Sequence, residues 1–243
     1  VPYGCESSNL SGRTIVFLYD SIFIKNYPMK KRIFITATNT DIGKTYTTKL
    51  LLKEFASHGI RMGVIKPIET GVIDGYAPDG EELLACIKEL NPEFKDLNVE
   101  DIVPIQHSLA AAPFIASENS PLDINKIDLA IEKIEKLCDI LIIEGAGGLY
   151  VPIDGNTMMI DLIKYFKAKT LLVTHCSLGC INDTLLSSKA LLDKKIPHAI
   201  AFNCKNEDND FAEISAPYFD KIGFEILKVD KDIDTICDVL YNQ

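Results

Sequence analysis

Between Arg32 and Thr45 the chain reads Arg-Ile-Phe-Ile-Thr-Ala-Thr-Asn-Thr-Asp-Ile-Gly-Lys-Thr: an apolar run, a polar loop, then Gly-Lys-Thr at the start of a helical pattern. A strand, a tight loop and a helix N-terminus in that order make a phosphate-binding loop, because backbone N–H groups at the helix start face the anion. In that reading Asn39, Thr40, Asp41 and Ile42 form the loop and Gly43 permits close approach of the backbone. Lys44 neutralises phosphate charge and the Thr45 hydroxyl can ligate Mg²⁺. The spacing departs from the usual pattern, whose first glycine would fall where this chain has Thr38. Gly-Lys-Thr alone is also compatible with an ordinary helix start; the strand before it and the helix after it favour the phosphate loop.

From Met29 onward, short β-branched runs alternate with longer segments of helical period, the signature of βαβ units around a parallel sheet. Strands are expected at 31–36, 62–66, 139–143, 169–174, 198–203 and 223–227, and helices at 44–58, 80–90, 107–117, 124–137, 158–167, 182–194, 209–220 and 231–241. Residues 67–80 and 145–155 are expected to be long loops, where function concentrates. Residues 29–243 form one α/β domain in this reading. Residues 1–28 lack a clear period and are expected to be an appendage outside the core.

A net charge of 25 − 35 = −10 argues against nucleic acid or an anionic membrane as partner. An anionic ligand would have to be held by local N–H groups and a few lysines. No apolar run approaches membrane-spanning length, and Asp20 interrupts the run Ile15–Tyr19 with no cleavage pattern after it. Seven scattered cysteines are too sparse for a disulfide-stapled secreted scaffold, so a reducing, cytoplasmic setting is expected.

Two further strand ends carry charge. Lys66 ends the run Val64-Ile65-Lys66, and Pro67 keeps it extended at the sheet's carboxyl edge, where the phosphate loop also opens. Glu144 ends the buried run Asp139–Ile143 and is followed by Gly145, Ala146, Gly147 and Gly148, which leave room for a ligand beside an acid able to bind metal. A strand-end lysine can also be a solvated charge, and the acid a helix cap. His175, Cys176 and Cys180 lack a fourth ligand for zinc. His58, His107 and His198 are isolated.

The segments Thr38–Thr45, Lys66–Gly71, Glu144–Gly148 and Leu178–Asn182, in that order, resemble the dethiobiotin synthetase family. The resemblance covers about Met29 to Asn203. It implies a three-layer P-loop NTPase-type fold, with a mainly parallel sheet flanked by helices, and a homodimer. It further implies MgATP-dependent closure of a ureido ring on 7,8-diaminononanoate by CO₂, through a carbamate and a carbamic-phosphoric anhydride. Lys44 and Lys66 would flank the γ-phosphate and the carbamate, and Thr45, Asp79 and Glu144 would hold Mg²⁺. Asp79 is the least determined of these, since Glu81 or Glu82 could align instead and an aspartate there can simply cap a helix. Thr70 would touch the diamine end and Asn203 would read the base. The N-terminus formed by Gly179, Cys180, Ile181 and Asn182 would take the substrate's distal carboxylate across the subunit interface.

Two features depart from the family: Ala37 replaces the usual first glycine of the loop, and Phe224–Val229 runs into the last helix without the usual proline-rich adenine loop. The rival readings are another P-loop ATPase of the same branch and a non-catalytic nucleotide switch. Partitioning ATPases carry a second lysine early in the loop, where this chain has Asn39.

Overall fold

The computed structural model describes residues 31–205, 208 and 210–242. The expected appendage over 1–28 lies outside the described residues. In chain order the elements are β1 (Lys31–Ala37), α1 (Lys44–Ser57), β2 (Met62–Ile65), β3 (Ile68–Thr70), α2 (Pro78–Leu90), α3 (Val99–Ile102), β4 (Ile105–His107) and α4 (Pro113–Ala116). They continue with α5 (Ile124–Glu135), β5 (Ile140–Gly148), α6 (Met159–Phe166), β6 (Lys169–His175), α7 (Cys180–Asp193), β7 (His198–Asn203), α8 (Phe211–Ile214), α9 (Ala216–Lys221) and α10 (Ile233–Asn242).

Five strands form one sheet in the order β2-β5-β1-β6-β7, every pair parallel. Parallel strands are covered on both faces and so read as continuous apolar runs. Ile140, Leu141, Ile142 and Ile143 of β5 are accordingly all buried. Helices flank the sheet: α1 packs on β1 and β5 and against α2 and α10, while Phe34 of β1 stacks on Phe166 of α6. Burying a side chain of that size contributes about 2 kcal/mol.

This topology positions the site. β1 lies at the centre, with β5 on one side and β6 on the other, so its loop emerges where the strand order switches direction. The carboxyl ends of β2, β6 and β7 deliver Lys66, His175 and Asn203 to the same edge, and Glu144, midway along β5, meets Lys66 there. A bulge lets β1 move from Ile35 opposite Glu144 to Ala37 opposite Gly148, and the extra β5 residues wrap the glycine run beneath the phosphate loop.

Five expectations change, the first being the 145–155 loop, whose opening residues Gly145 to Gly148 extend β5. The run expected as a strand at 223–227 forms none: it meets β7 only at its end, where the Leu227 carbonyl accepts from the Phe202 N–H and the next residue, Lys228, makes an isolated parallel bridge to Phe202, while Phe224 packs its ring against Phe202 and Phe219. The 107–117 segment is β4 plus a loop plus the short α4, which starts at Pro113, and β4 pairs with β3 inside the stretch expected to be a 67–80 loop. The 209–220 helix divides into α8 and α9 at Ser215, two residues before Pro217, which cannot donate to a continuous helical ladder.

Candidate active site

The phosphate loop leaves β1 through Thr38, whose N–H bonds the Val173 carbonyl of β6 (3.0 Å), and closes at Gly43, which caps α1 in the left-handed region (φ 99°). Only glycine takes that conformation without strain. A Cβ there would lie 2.1 Å from Asn203 Nδ2, so the loop and the end of β7 are in intimate contact. Asn203 donates its amide to the Ile42 carbonyl (2.8 Å), and because a carbonyl only accepts, its own Oδ1 is turned away from that bond. Lys44 is nearly buried and reaches back to the Asn39 carbonyl (3.3 Å).

Lys66 lies below this loop, 3% exposed, with its ammonium between two carboxylates: Glu144 Oε1 at 2.8 Å and Asp79 Oδ2 at 2.5 Å. Burial works against its charge, but Glu144 and Asp79 outweigh burial and raise its pKa above the ordinary lysine value. Burial, and then the charge of Lys66, depress that of Lys44. Glu144 is fully buried and saturated with donors, accepting from Thr45 (2.8 Å) and Thr48 (2.7 Å) of α1 as well as from Lys66. Two of the three expected metal ligands, Asp79 and Glu144, thus flank one ammonium, and the third, Thr45, bonds Glu144 beside it.

Asp79 opens α2, as a capping role would also have it, yet its carboxylate turns to Lys66 and the helix is capped by another acid. Glu69 of β3 accepts from the N–H groups of Asp79 (2.8 Å) and Gly80 (2.9 Å). The sequence reading missed Glu69 and Thr48. Spacing could have found Thr48, which lies one helical turn after Thr45; Glu69 answers to the β3–β4 pairing, which only the tertiary structure reveals.

Burial opposes the charge of Asp79, but Lys66 more than compensates and holds its carboxyl below the usual carboxylate range. A carboxylate with a depressed folded pKa contributes stability at pH values above its unfolded pKa and loses it as pH falls through the folded one. Asp79→Asn should therefore flatten the acid-side fall in unfolding free energy below about pH 4, read by urea denaturation at stepped pH.

The glycine run divides by role. Gly145 is packed, since a Cβ there would lie 2.9 Å from Phe34 and 3.2 Å from the Met159 sulfur, and Gly148 sits against the Thr38 carbonyl. Ala146 and Gly147 are half-exposed, although a Cβ on Gly147 (φ 65°) would lie 2.6 Å from the Val151 side chain and 3.6 Å from Thr40 Oγ1. Thr70 ends β3 half-exposed, paired with His107.

At the next strand, Gly179 (φ 102°) starts α7, whose N-terminus has no side-chain cap. Cys180 is buried and its N–H is taken by the Ser177 carbonyl, leaving Ile181 and the exposed Asn182 at the first turn. His175 is within hydrogen-bond distance of Ser177 (2.6 Å) and Asp183 (3.0 Å), and Cys176 is disulfide-bonded to Cys204, so the two are committed elsewhere than to zinc. Past β7, the Tyr46 hydroxyl of α1 bonds Asp230 (2.7 Å), and a cavity of about 320 Å³ opens among Lys205, Asp208, Lys228 and Asp230. Among the described residues no helix is long and apolar enough to cross a membrane.

An AAA domain family matches residues 31–230. Over 190 residues the chain is 45% identical to the ATP-dependent dethiobiotin synthetase BioD of Sulfurovum sp. (strain NBC37-1), covering 78% of this chain and 90% of that one. It is 37% identical over 194 residues to the ATP-dependent dethiobiotin synthetase BioD of Helicobacter pylori (strain Shi470), covering 77% and 88%. Among solved structures, a DUF1611 family protein from Anabaena variabilis aligns with a TM-score of 0.50 at 15% identity, over 88% of this chain and 58% of that one, a likeness of fold alone.

Proposed function

Because the chain belongs to the dethiobiotin synthetase family, we propose that it closes the ureido ring of dethiobiotin on 7,8-diaminononanoate from CO₂ and ATP, as a cytoplasmic homodimer of one 29–243 domain per subunit. The observation that carries this reading is the buried Lys66 ammonium at the sheet's carboxyl edge, held by Glu144 and Asp79 beneath the loop that presents Lys44.

Phosphoryl transfer needs positioning and charge neutralisation more than a protein nucleophile. The N–H groups of Asn39 to Thr45 would hold the triphosphate, with Lys44 along its β and γ oxygens. Lys66 would orient the substrate carbamate for attack on the γ-phosphorus and neutralise the charge gathering there, after which the second amine displaces phosphate and closes the ring. Glu144, by anchoring Lys66, Thr45 and Thr48 together, would keep the lysine and the loop helix in register. Ala146 and Gly147 leave space for the diamine beside Thr70. Asn203 would present Oδ1 to the base.

Thr45, Asp79 and Glu144 are all oxygen donors gathered beside the phosphate loop, a set that suits Mg²⁺; Thr45 and the partly exposed Asp79 would hold the ion directly, and Glu144, already accepting from Thr45, Thr48 and Lys66, would act through water. When bound, Mg²⁺ would supply further neutralisation of the phosphate oxygens.

ADP release from MgATP should require both diaminononanoate and bicarbonate; release indifferent to the diamine would contradict the reading and favour a nucleotide switch.

The exposed, uncapped α7 N-terminus at Gly179 supports binding of the distal carboxylate across the interface. A Lys44→Ala chain mixed with a Gly179→Trp chain, each inactive alone, should regain activity after subunit exchange, because one of the two sites in a mixed dimer carries neither defect. No recovery with exchange confirmed would place each whole site on one chain.

A further inference from the structure

The one disulfide among the described residues joins Cys176 to Cys204, with Cα atoms 4.9 Å apart. β6 and β7 pair in register from Thr170 opposite His198 to Thr174 opposite Phe202 and His175 opposite Asn203, so Cys176 and Cys204 are the next pair along the same ladder. Neighbouring strands run about 4.8 Å apart, within the span a disulfide bridges. The sheet itself therefore brings the two sulfurs together. Reduction would leave the ladder standing and the thiols adjacent, ready to pair again.

What the bond fastens lies on both sides of the site. Cys204 directly follows Asn203, which is tied to the phosphate loop through the Ile42 carbonyl. Cys176 directly precedes the exposed turn Ser177-Leu178-Gly179 that leads into the uncapped N-terminus of α7. Besides this bond, the turn is held by the contacts of His175 with Ser177 and Asp183, by the N–H of Cys180 on the Ser177 carbonyl and by the N–H of Asp183 on the Gly179 carbonyl.

We propose that Cys176 and Cys204 are a reversible thiol–disulfide modification site whose oxidation holds the α7 N-terminus against the nucleotide-bearing end of β7. The inference rests on the reading above that this N-terminus receives the substrate carboxylate. Cys176 is buried, whereas Cys204 is half-exposed on the cavity lined by Lys205, Lys228 and Lys231 together with Asp208 and Asp230, so a small thiol reaches the bond from the Cys204 side. The co-reactant is a low-molecular-weight dithiol. Its thiolate attacks Cys204 Sγ, the Sγ–Sγ bond breaks and Cys176 leaves as thiolate. The second thiol then displaces Cys204, so that one protein disulfide and one dithiol become two protein thiols and one cyclic disulfide, with protons redistributed among the thiols.

The test compares full-length protein equilibrated with oxidised and with reduced dithiothreitol. Non-reducing peptide mapping should find the Cys176 and Cys204 peptides joined in the first and separately alkylated in the second. Backbone hydrogen exchange over 177–183 should be faster in the reduced form. The diamine KM should rise about fivefold or more on reduction, with kcat and the MgATP KM within about twofold. Cys204→Ser should match the reduced form in both buffers. Peptides never found joined, or exchange and diamine KM equal in the two forms, would overturn the proposal. Loss of diamine-dependent ADP release in both forms would instead count against the functional reading, while mapping and exchange still decide whether the disulfide forms and fastens the turn.

Discussion

Replacing Lys44 or Lys66 with Ala should lower kcat by about 10²-fold or more, a loss of roughly 3 kcal/mol in transition-state stabilisation. The two variants should part company in stability. Lys44 bonds only a loop carbonyl, so its removal leaves the fold almost untouched. Lys66 neutralises the fully buried Glu144, and removing one partner of a buried pair leaves an uncompensated charge costing about 3 kcal/mol or more. Thermal unfolding should thus show Lys66→Ala melting well below Lys44→Ala. Assays run far below either melting temperature then separate lost chemistry from lost folding. A folded Lys66→Ala protein with near-normal turnover would remove that lysine from the chemistry.

Gly43→Ala should weaken MgATP binding by about 10²-fold, roughly 2.7 kcal/mol. At φ 99° an alanine is strained, and its Cβ would drive Asn203 off the Ile42 carbonyl. Backbone strain of this kind costs about 1–3 kcal/mol and a lost hydrogen bond about 1 kcal/mol. The free protein relieves both by shifting the loop, and the nucleotide must then bring the loop back. Gly59→Ala is the control: it also has positive φ (77°), but nothing lies within 4 Å of its Cβ, at the opposite end of α1. It should lower stability by about 1 kcal/mol and leave MgATP affinity unchanged. Isothermal titration of both variants checks the pair, and equal affinities would show that the left-handed Gly43 is not what shapes the loop.

The central strands were legible because parallel strands are apolar throughout, and a charge that ends such a run is conspicuous. Lys66 and Glu144 stood out for that reason, Lys44 through Gly-Lys-Thr opening a helix, and the structure pairs Lys66 with Glu144 beneath the loop that carries Lys44. Glu69 was not legible because its purpose is to meet α2 across a pairing of two three-residue strands, too short to show alternation. The 223–227 run had the composition of a strand but forms no ladder, meeting β7 only at its end while the rings of Phe202, Phe219 and Phe224 pack together. Gly145 and Gly148 looked like room for a ligand, while the structure uses both for close packing under Thr38 and against Phe34. The Cys176–Cys204 bond was invisible for a related reason: its partners are 28 residues apart in sequence and become neighbours only through strand register.

The most direct test of ring closure follows the carbon. Protein incubated with MgATP, diaminononanoate and ¹³C-bicarbonate should yield dethiobiotin carrying one ¹³C at the ureido carbonyl, with one ADP released per molecule formed and neither product when the diamine is omitted. ADP released without labelled dethiobiotin, or an unlabelled ureido carbon, would contradict the account.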